Sequence, residues 1–103
     1  MKKISLGEIK NLDGSGAKDG DGQAITVKGV ILAILLNDNP SPELAYLNYK
    51  IAGLVDEADS DEISMEDAHY ERLKDALMQN QLPWKSMIMG QAYDAIVNKV
   101  GEG

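Results

Sequence analysis

Apolar residues recur at helical spacing from residue 27 onward. Five of them follow one another at intervals of three and one residues: Val27, Val30, Ile31, Ile34 and Leu35. This spacing places them on one face of an α-helix. Thr26 precedes them as an N-cap, and Pro40 disfavours helical geometry in the residue before it. The pattern predicts a central, strongly buried helix that runs from Val27 to about Leu36.

Three further helices follow by the same criterion. The run 41–43 (Ser-Pro-Glu) is a favourable helix start, and an apolar stripe follows it at Leu44, Leu47, Ile51, Leu54 and Ala58. Ser64 is the predicted N-cap of a third helix, whose apolar face carries Tyr70, Leu73 and Leu77. Asn80 to Pro83 breaks that helix, and the last helix is predicted from Trp84 to about Lys99. Residues 101–103 are expected to be a frayed tail.

The first 26 residues have a different pattern. Ile4 and Leu6 alternate with polar residues, a Gly/Asp-rich stretch fills 13–23, and an apolar segment follows at 24–27. Asp-Gly pairs favour tight turns, so this region is predicted to be a β-hairpin, and we find no internal repeat in the sequence. The predicted fold is α+β and mostly helical: one domain over 1–103, in which a short N-terminal β-hairpin (1–26) packs on about four helices (27–100).

Composition narrows the classes of function. The chain has 103 residues, ten Lys and Arg against 17 Asp and Glu, no cysteine and one histidine. Without cysteine it has neither disulfides nor thiolate metal sites. A net charge of −7 disfavours direct nucleic-acid binding. The longest apolar run, 30–36, is far shorter than the roughly 20 residues that span a bilayer. We therefore expect no membrane contact and a cytoplasmic protein.

The Gly/Asp-rich stretch is a candidate cation site. Asp13, Asp19 and Asp21 supply the oxygen ligands that Ca²⁺ prefers. The EF-hand pattern is not met, because Ala24 stands where a register starting at Asp19 needs glycine and Val30 where it needs glutamate. An ordinary turn is the favoured interpretation, and weak cation binding by the Asp13–Asp21 loop is the alternative.

A second candidate site is acidic. Eight carboxylates lie within 56–71, and no Lys or Arg occurs from 51 to 71. They fit a solvated loop and helix start. They also fit a surface for a basic partner, in which Asp59, Asp61 and Glu62 are the expected contacts. An acidic mimic of nucleic acid is a further alternative.

The last predicted helix carries a third candidate surface. Trp84, Met87 and Met89 form an adaptable aromatic and thioether cluster with Tyr93 nearby. A small core cannot bury all of these side chains, so part of the cluster is expected to contact a partner or a second copy of the chain. His69 has no second histidine and no recognisable nucleophile motif, so we predict neither a catalytic pair nor a cofactor.

Four segments also resemble known proteins in their order along the chain: TVKGVILAILL at 26–36, LAYLNYKIAGL at 44–54, EISMEDAHYERLK at 62–74 and MIMGQAYDAI at 87–96. This layout resembles small accessory proteins encoded by tailed bacteriophages and prophages. The resemblance implies a binding role in virion assembly or on a host factor, and hence a location in the cytoplasm of a bacterial host or in the virion. The function predicted from the sequence is a non-enzymatic protein-interaction module that acts on a host or phage protein or as a homo-oligomer.

Overall fold

The computed structural model describes residues 1–80 and 84–102. These residues form a mostly helical α+β fold, which confirms the predicted class. The elements are β1 (Lys2–Ser5), α1 (Val27–Asn37), α2 (Pro42–Asp56), β2 (Glu62–Met65), α3 (Asp67–Gln79), α4 (Ser86–Tyr93) and β3 (Gly101–Glu102), and a π-helical turn (Asp94–Asn98) follows α4. None of the helices in the described ranges is long and apolar enough to cross a membrane.

Helix α1 is the centre of the fold, as predicted. Its N-cap is Thr26, whose hydroxyl oxygen accepts a hydrogen bond from the Gly29 amide at 3.0 Å. Val30, Ile31 and Ile34 are almost completely buried, and α1 packs on α2, α3 and α4. The central position follows from the breadth of its apolar face, which can contact several helices at once.

Helix α2 begins and ends near the predicted residues, but its predicted buried stripe is wrong at two positions. Its buried residues are Asn48, Ile51, Ala52 and Val55. Leu44 and Leu54, which the stripe includes, are exposed. Asn48 occupies the centre of the inward face because polar partners on α1 and α3 bind its amide, and this turns Leu54 toward solvent.

Two short segments expected to be a cap and a tail are strands. Ser64 lies in β2 and pairs with Lys3 of β1, so α3 begins later, at Asp67 with Glu66 as its N-cap. Gly101 also pairs with Lys3, from the other side of β1, which gives the antiparallel order β2-β1-β3. Ile63 and Met65 alternate with polar residues, and such a segment gains more as half of a sheet ladder than as a helix start. Gly103 of the predicted tail lies outside the described residues.

The Gly/Asp-rich region contains an eight-residue repeat, which corrects the sequence interpretation. Ile9, Ala17 and Ile25 bind one another in a closed triangle of backbone hydrogen bonds, with N···O distances of 2.8–2.9 Å. Each eight-residue step contains one tight turn, and Gly14 and Gly22 hold the same place in the two turns with φ of 90° and 81°. The sequence contains traces of the repeat, because Lys10 and Lys18, Asp13 and Asp21, and Gly14 and Gly22 are each eight residues apart. Isolated bridges join residues 8 and 26, 10 and 16, and 18 and 24. The region therefore folds back on itself more than once, and β1, the first segment of the predicted hairpin, pairs with β2 and β3 instead.

Alanine at either turn glycine is expected to destabilise the fold. Gly14→Ala and Gly22→Ala should each lower the free energy of unfolding by about 1–2 kcal/mol, because an L-residue with a Cβ is disfavoured at positive φ. Urea denaturation followed by circular dichroism measures the loss. Gly20→Ala is the matched control, since Gly20 lies in the second turn without a positive φ and its Cβ would meet nothing within 4 Å. A similar loss in all three variants would contradict the assignment.

The C-terminal segment differs from one continuous helix. The helix predicted from Trp84 begins at Ser86, and its last turn is π-helical, closed by a hydrogen bond of 2.8 Å from the Lys99 amide to the Asp94 carbonyl. The buried hydroxyl of Tyr70 donates to the Ile96 carbonyl in this turn at 2.7 Å. Residues 81–83 of the predicted helix break lie outside the described residues.

Candidate functional site

An apolar cleft of about 350 Å³ opens between the end of α2, strand β2 and the start of α3. Its apolar lining includes Ile51, Leu54, Ala58, Ile63 and Met65. Glu57, Glu66 and half-buried His69 also line it. We call this feature the acidic cleft. An apolar floor with a few polar groups is typical of a binding site.

Local structure keeps this cleft open. Leu54 is 47% exposed because the inward face of α2 is centred on Asn48. Lys28 on α1 caps the end of α2, since its ammonium group donates to the carbonyl oxygens of Asp56 at 2.9 Å and Ala58 at 3.1 Å. The chain then leaves the helix, and a hydrogen bond of 2.6 Å from the Leu6 amide to the Asp61 carbonyl ties the following loop to the sheet.

The carboxylates of 56–71 are solvent-exposed, and two of them, Glu57 and Glu66, line the acidic cleft. Asp67 lies 4.0 Å from the N-terminal amine, and Glu71 lies 3.3 Å from the ammonium of Lys74. The other six make no ion pair with any residue in the described ranges. They include Asp59, Asp61 and Glu62, which lie in the loop before β2 and at its first residue. Six of the eight carboxylates are therefore not neutralised by an ion pair within the described ranges.

Trp84, Met87 and Met89 are half-buried and pack against the core. Trp84 and Met87 line a separate cleft of about 390 Å³, whose opposite wall is the Gly/Asp-rich region. Tyr93 is exposed at the end of α4. The structure does not bring this cluster and the acids of 56–71 into one cleft. The predicted contacts Asp59, Asp61 and Glu62 line neither of the two clefts.

The aspartates of the candidate cation loop serve the turns themselves. One Asp13 carboxylate oxygen accepts from the Ser15 hydroxyl at 2.6 Å and from the Ser15 amide at 2.9 Å. These bonds, the hydroxyl first, lower the pKa of Asp13. Asp19 accepts from the amides of Asp21 and Gln23 in the second turn. Within 1–80 and 84–102, no three acidic or histidine side chains converge as a metal-binding group would.

A buried polar network between α1, α2 and α3 is absent from the sequence interpretation. Arg72, only 8% exposed, donates to an Asp38 carboxylate oxygen at 2.6 Å and to the Asn48 side-chain oxygen at 3.0 Å. The side-chain amides of Asn48 and Asn80 donate to Asp38 at 3.0 and 2.9 Å. The sequence pattern identifies Asn80 only as part of a helix break, and Asp38 only as one of the polar residues between the first helix and Pro40. The one usable signal is Arg72, the only arginine of the chain, at an inward position next to Leu73.

The electrostatics of Asp38 reflect two opposing causes. Burial alone raises the pKa of its carboxyl, whereas the hydrogen bonds from Asn80 and Asn48 and the positive charge of Arg72 lower it. The hydrogen bonds and the charge of Arg72 together outweigh burial, so the pKa of Asp38 lies below its ordinary value and the carboxylate stays ionised. This network joins three helices and is largely buried, with Asp38 and Asn80 at its partly exposed end, which identifies it as structural support.

The open surfaces that combine exposed apolar side chains with unpaired charges include the acidic cleft and the outer face of α2. Their geometry and charge are the observations that bear on function. No protein-family model, no curated protein and no solved structure matches this chain.

Proposed function

We propose that the protein is a protein-interaction module that binds an extended, basic segment of a partner protein in the acidic cleft. The observation that carries this proposal is the lining of the cleft, in which apolar side chains of α2 and of the edge strand β2 lie beside the carboxylates of Glu57 and Glu66. Such a role agrees with the resemblance to phage accessory proteins. It replaces the Trp84 surface as the leading contact, because Trp84 and Met87 are half-buried.

Strand β2 can form main-chain hydrogen bonds with a bound peptide. It lies at the edge of the sheet, and no other strand in the described part of the chain pairs with its outer side. An open edge can accept an additional strand from a peptide, whose main-chain hydrogen bonds provide affinity while alternate side chains enter pockets. In this arrangement apolar side chains of the peptide contact Leu54 and Ile63, both of which line the cleft.

The carboxylates favour a positively charged binding segment. Glu57 and Glu66 line the acidic cleft, and Asp59, Asp61 and Glu62 are exposed acids in the segment between them, outside the lining itself. Complementary charge raises the association rate and disfavours acidic competitors. Salt screens such exposed charges. The bound segment is therefore expected to alternate Lys or Arg with apolar residues and to bind more weakly as salt increases.

A synthetic peptide that alternates lysine and valine tests this function by isothermal titration calorimetry. We expect binding to the wild-type protein, and about tenfold weaker binding to the double variant Glu57→Gln, Glu66→Gln, since two exposed ion pairs of up to about 1 kcal/mol each are removed. The same peptide with alternate backbone amides methylated is expected to bind poorly, because it cannot extend the sheet.

The matched control is the double variant Glu43→Gln, Asp75→Asn. It removes the same number of charges from α2 and α3 but leaves the lining of the acidic cleft unchanged. This control should bind like the wild type. Equal binding by the Glu57/Glu66 variant, or no detectable heat with the wild type up to millimolar peptide, would refute the proposed function.

A further inference from the structure

The outer face of α2 carries an apolar groove on the flank opposite Leu54. This groove, about 450 Å³ in volume, runs between α1 and α2 and is lined in part by Leu32, Leu36, Tyr49 and Gly53. Leu36 is 60% exposed and Tyr49 is 70% exposed. Tyr46 lies three residues before Tyr49 on the same side of α2 and is 68% exposed. Large side chains so exposed on adjacent helices are typical of a contact surface.

Gly53 has no packing role within the described part of the chain. It lies inside α2, where glycine is less favourable than alanine, and a Cβ built on it would meet nothing within 4 Å. Packing inside one copy therefore does not require a glycine at this position. A glycine on an exposed helix face allows another backbone to approach closely. The groove is thus shaped for contact with a second helix.

Charge identifies that helix as α2 of a second copy. Lys50 and Asp56 both line the groove, three residues before and three residues after Gly53. Neither side chain forms an ion pair with any residue in the described ranges. A two-fold axis that passes between the two α2 helices, next to Gly53 and perpendicular to them, makes the helices antiparallel. This arrangement brings each Lys50 to the Asp56 of the other copy. A self-complementary patch of this kind is what a two-fold dimer requires.

We propose that two copies of the chain associate through this groove, with antiparallel α2 helices crossing at Gly53. Tyr49 and Leu36 of each copy cover the apolar surface of the other. The acidic cleft, on the Leu54 flank of α2, stays open in this dimer. The dimer is independent of the proposed peptide binding, so each can fail without the other.

Sedimentation equilibrium over a range of protein concentrations tests the dimer. It is applied to the wild type, to two single variants that reverse a charge, and to the variant that combines both reversals. Lys50→Asp and Asp56→Lys each place like charges together at both ends of the crossing, so each is expected to weaken the dimer at least tenfold. The combined variant Lys50→Asp, Asp56→Lys exchanges the partners and is expected to restore the wild-type dissociation constant. Circular dichroism confirms that each variant is folded.

The two single variants change the net charge in opposite directions, so a general charge effect cannot weaken both. Lys18→Asp and Asp75→Lys make the same changes in charge at residues that do not line the groove, and they should affect the dimer much less. A wild-type protein that stays monomeric at all concentrations, or single variants that dimerise like the wild type, would overturn the proposal.

Discussion

Replacing Arg72 by alanine is expected to lower the free energy of unfolding by about 3–5 kcal/mol, the range for a buried ion pair that loses one partner. The guanidinium is 8% exposed and lies 2.6 Å from the Asp38 carboxylate. Its removal leaves that carboxylate buried without a positive charge, and leaves the Asn48 side-chain oxygen without the hydrogen bond it accepts at 3.0 Å. Urea denaturation followed by circular dichroism measures the loss.

A double-mutant cycle separates the pair from its surroundings. Asp38→Ala is expected to cost a similar amount, because it leaves Arg72 charged and buried and also removes the acceptor for Asn48 and Asn80. The double variant Asp38→Ala, Arg72→Ala should be less destabilised than the sum of the two single variants, since the second change removes a charge that the first left unpaired.

Lys74→Ala is the control on the same helix. Lys74 pairs with Glu71 at 3.3 Å on the surface, and exposed pairs contribute at most about 1 kcal/mol. A loss for Arg72→Ala no greater than that for Lys74→Ala would show that the buried network does not hold the three helices together.

The parts of the fold that depend on local patterns were predictable from the sequence. Helix α1 has an N-cap, a broad apolar face and a proline shortly after its end, and all of these signals lie within a short stretch of the chain, 26–40. The buried face of α3, with Tyr70 and Leu73, follows from the same periodicity. Helical hydrogen bonds and side-chain spacing are local, so a short window contains the necessary information.

The parts that depend on distant contacts were not predictable. Strands β2 and β3 are short, and each becomes a strand only through pairing with β1, which is far away along the chain. Asp38 meets Arg72 across 34 positions, and a local interpretation recognises only its helix-ending role. Asn48 at the centre of the inward face of α2 is the same kind of case, since its partners come from outside its own helix.

One part of the candidate site was predictable from the sequence and another part was not. The acidic run is visible as a composition, because 51–71 contains no Lys or Arg. The cleft beside it is not, because it depends on the rotation of α2 that exposes Leu54 and on the edge position of β2. The aromatic and methionine cluster is less exposed than its composition suggests, since the Gly/Asp-rich region forms the opposite wall of its cleft.

Acidification is expected to destabilise the wild-type protein more steeply than Asp38→Asn. The pKa of Asp38 lies below its unfolded value, which is about 3.9 for a model aspartate. Its ionised form therefore contributes stability above that unfolded pKa, and the contribution is lost as the pH falls through the folded pKa. Protonation also leaves the buried Arg72 without a counter-charge. The asparagine variant cannot titrate at this position.

Urea denaturation at a series of pH values measures this effect as the difference in unfolding free energy between the wild type and Asp38→Asn. The difference should be constant above about pH 5 and shrink below it, since the linkage acts only where Asp38 gains a proton. Asp94→Asn is the control: the pKa of Asp94 is also lowered, by hydrogen bonds from Asn98 and Lys99, but that carboxylate lies at the surface, where solvent weakens such pairs. The difference in unfolding free energy could instead stay constant down to the acid transition. Because every other carboxylate is common to both proteins, that result would mean that protonation of Asp38 does not destabilise the contact between the three helices.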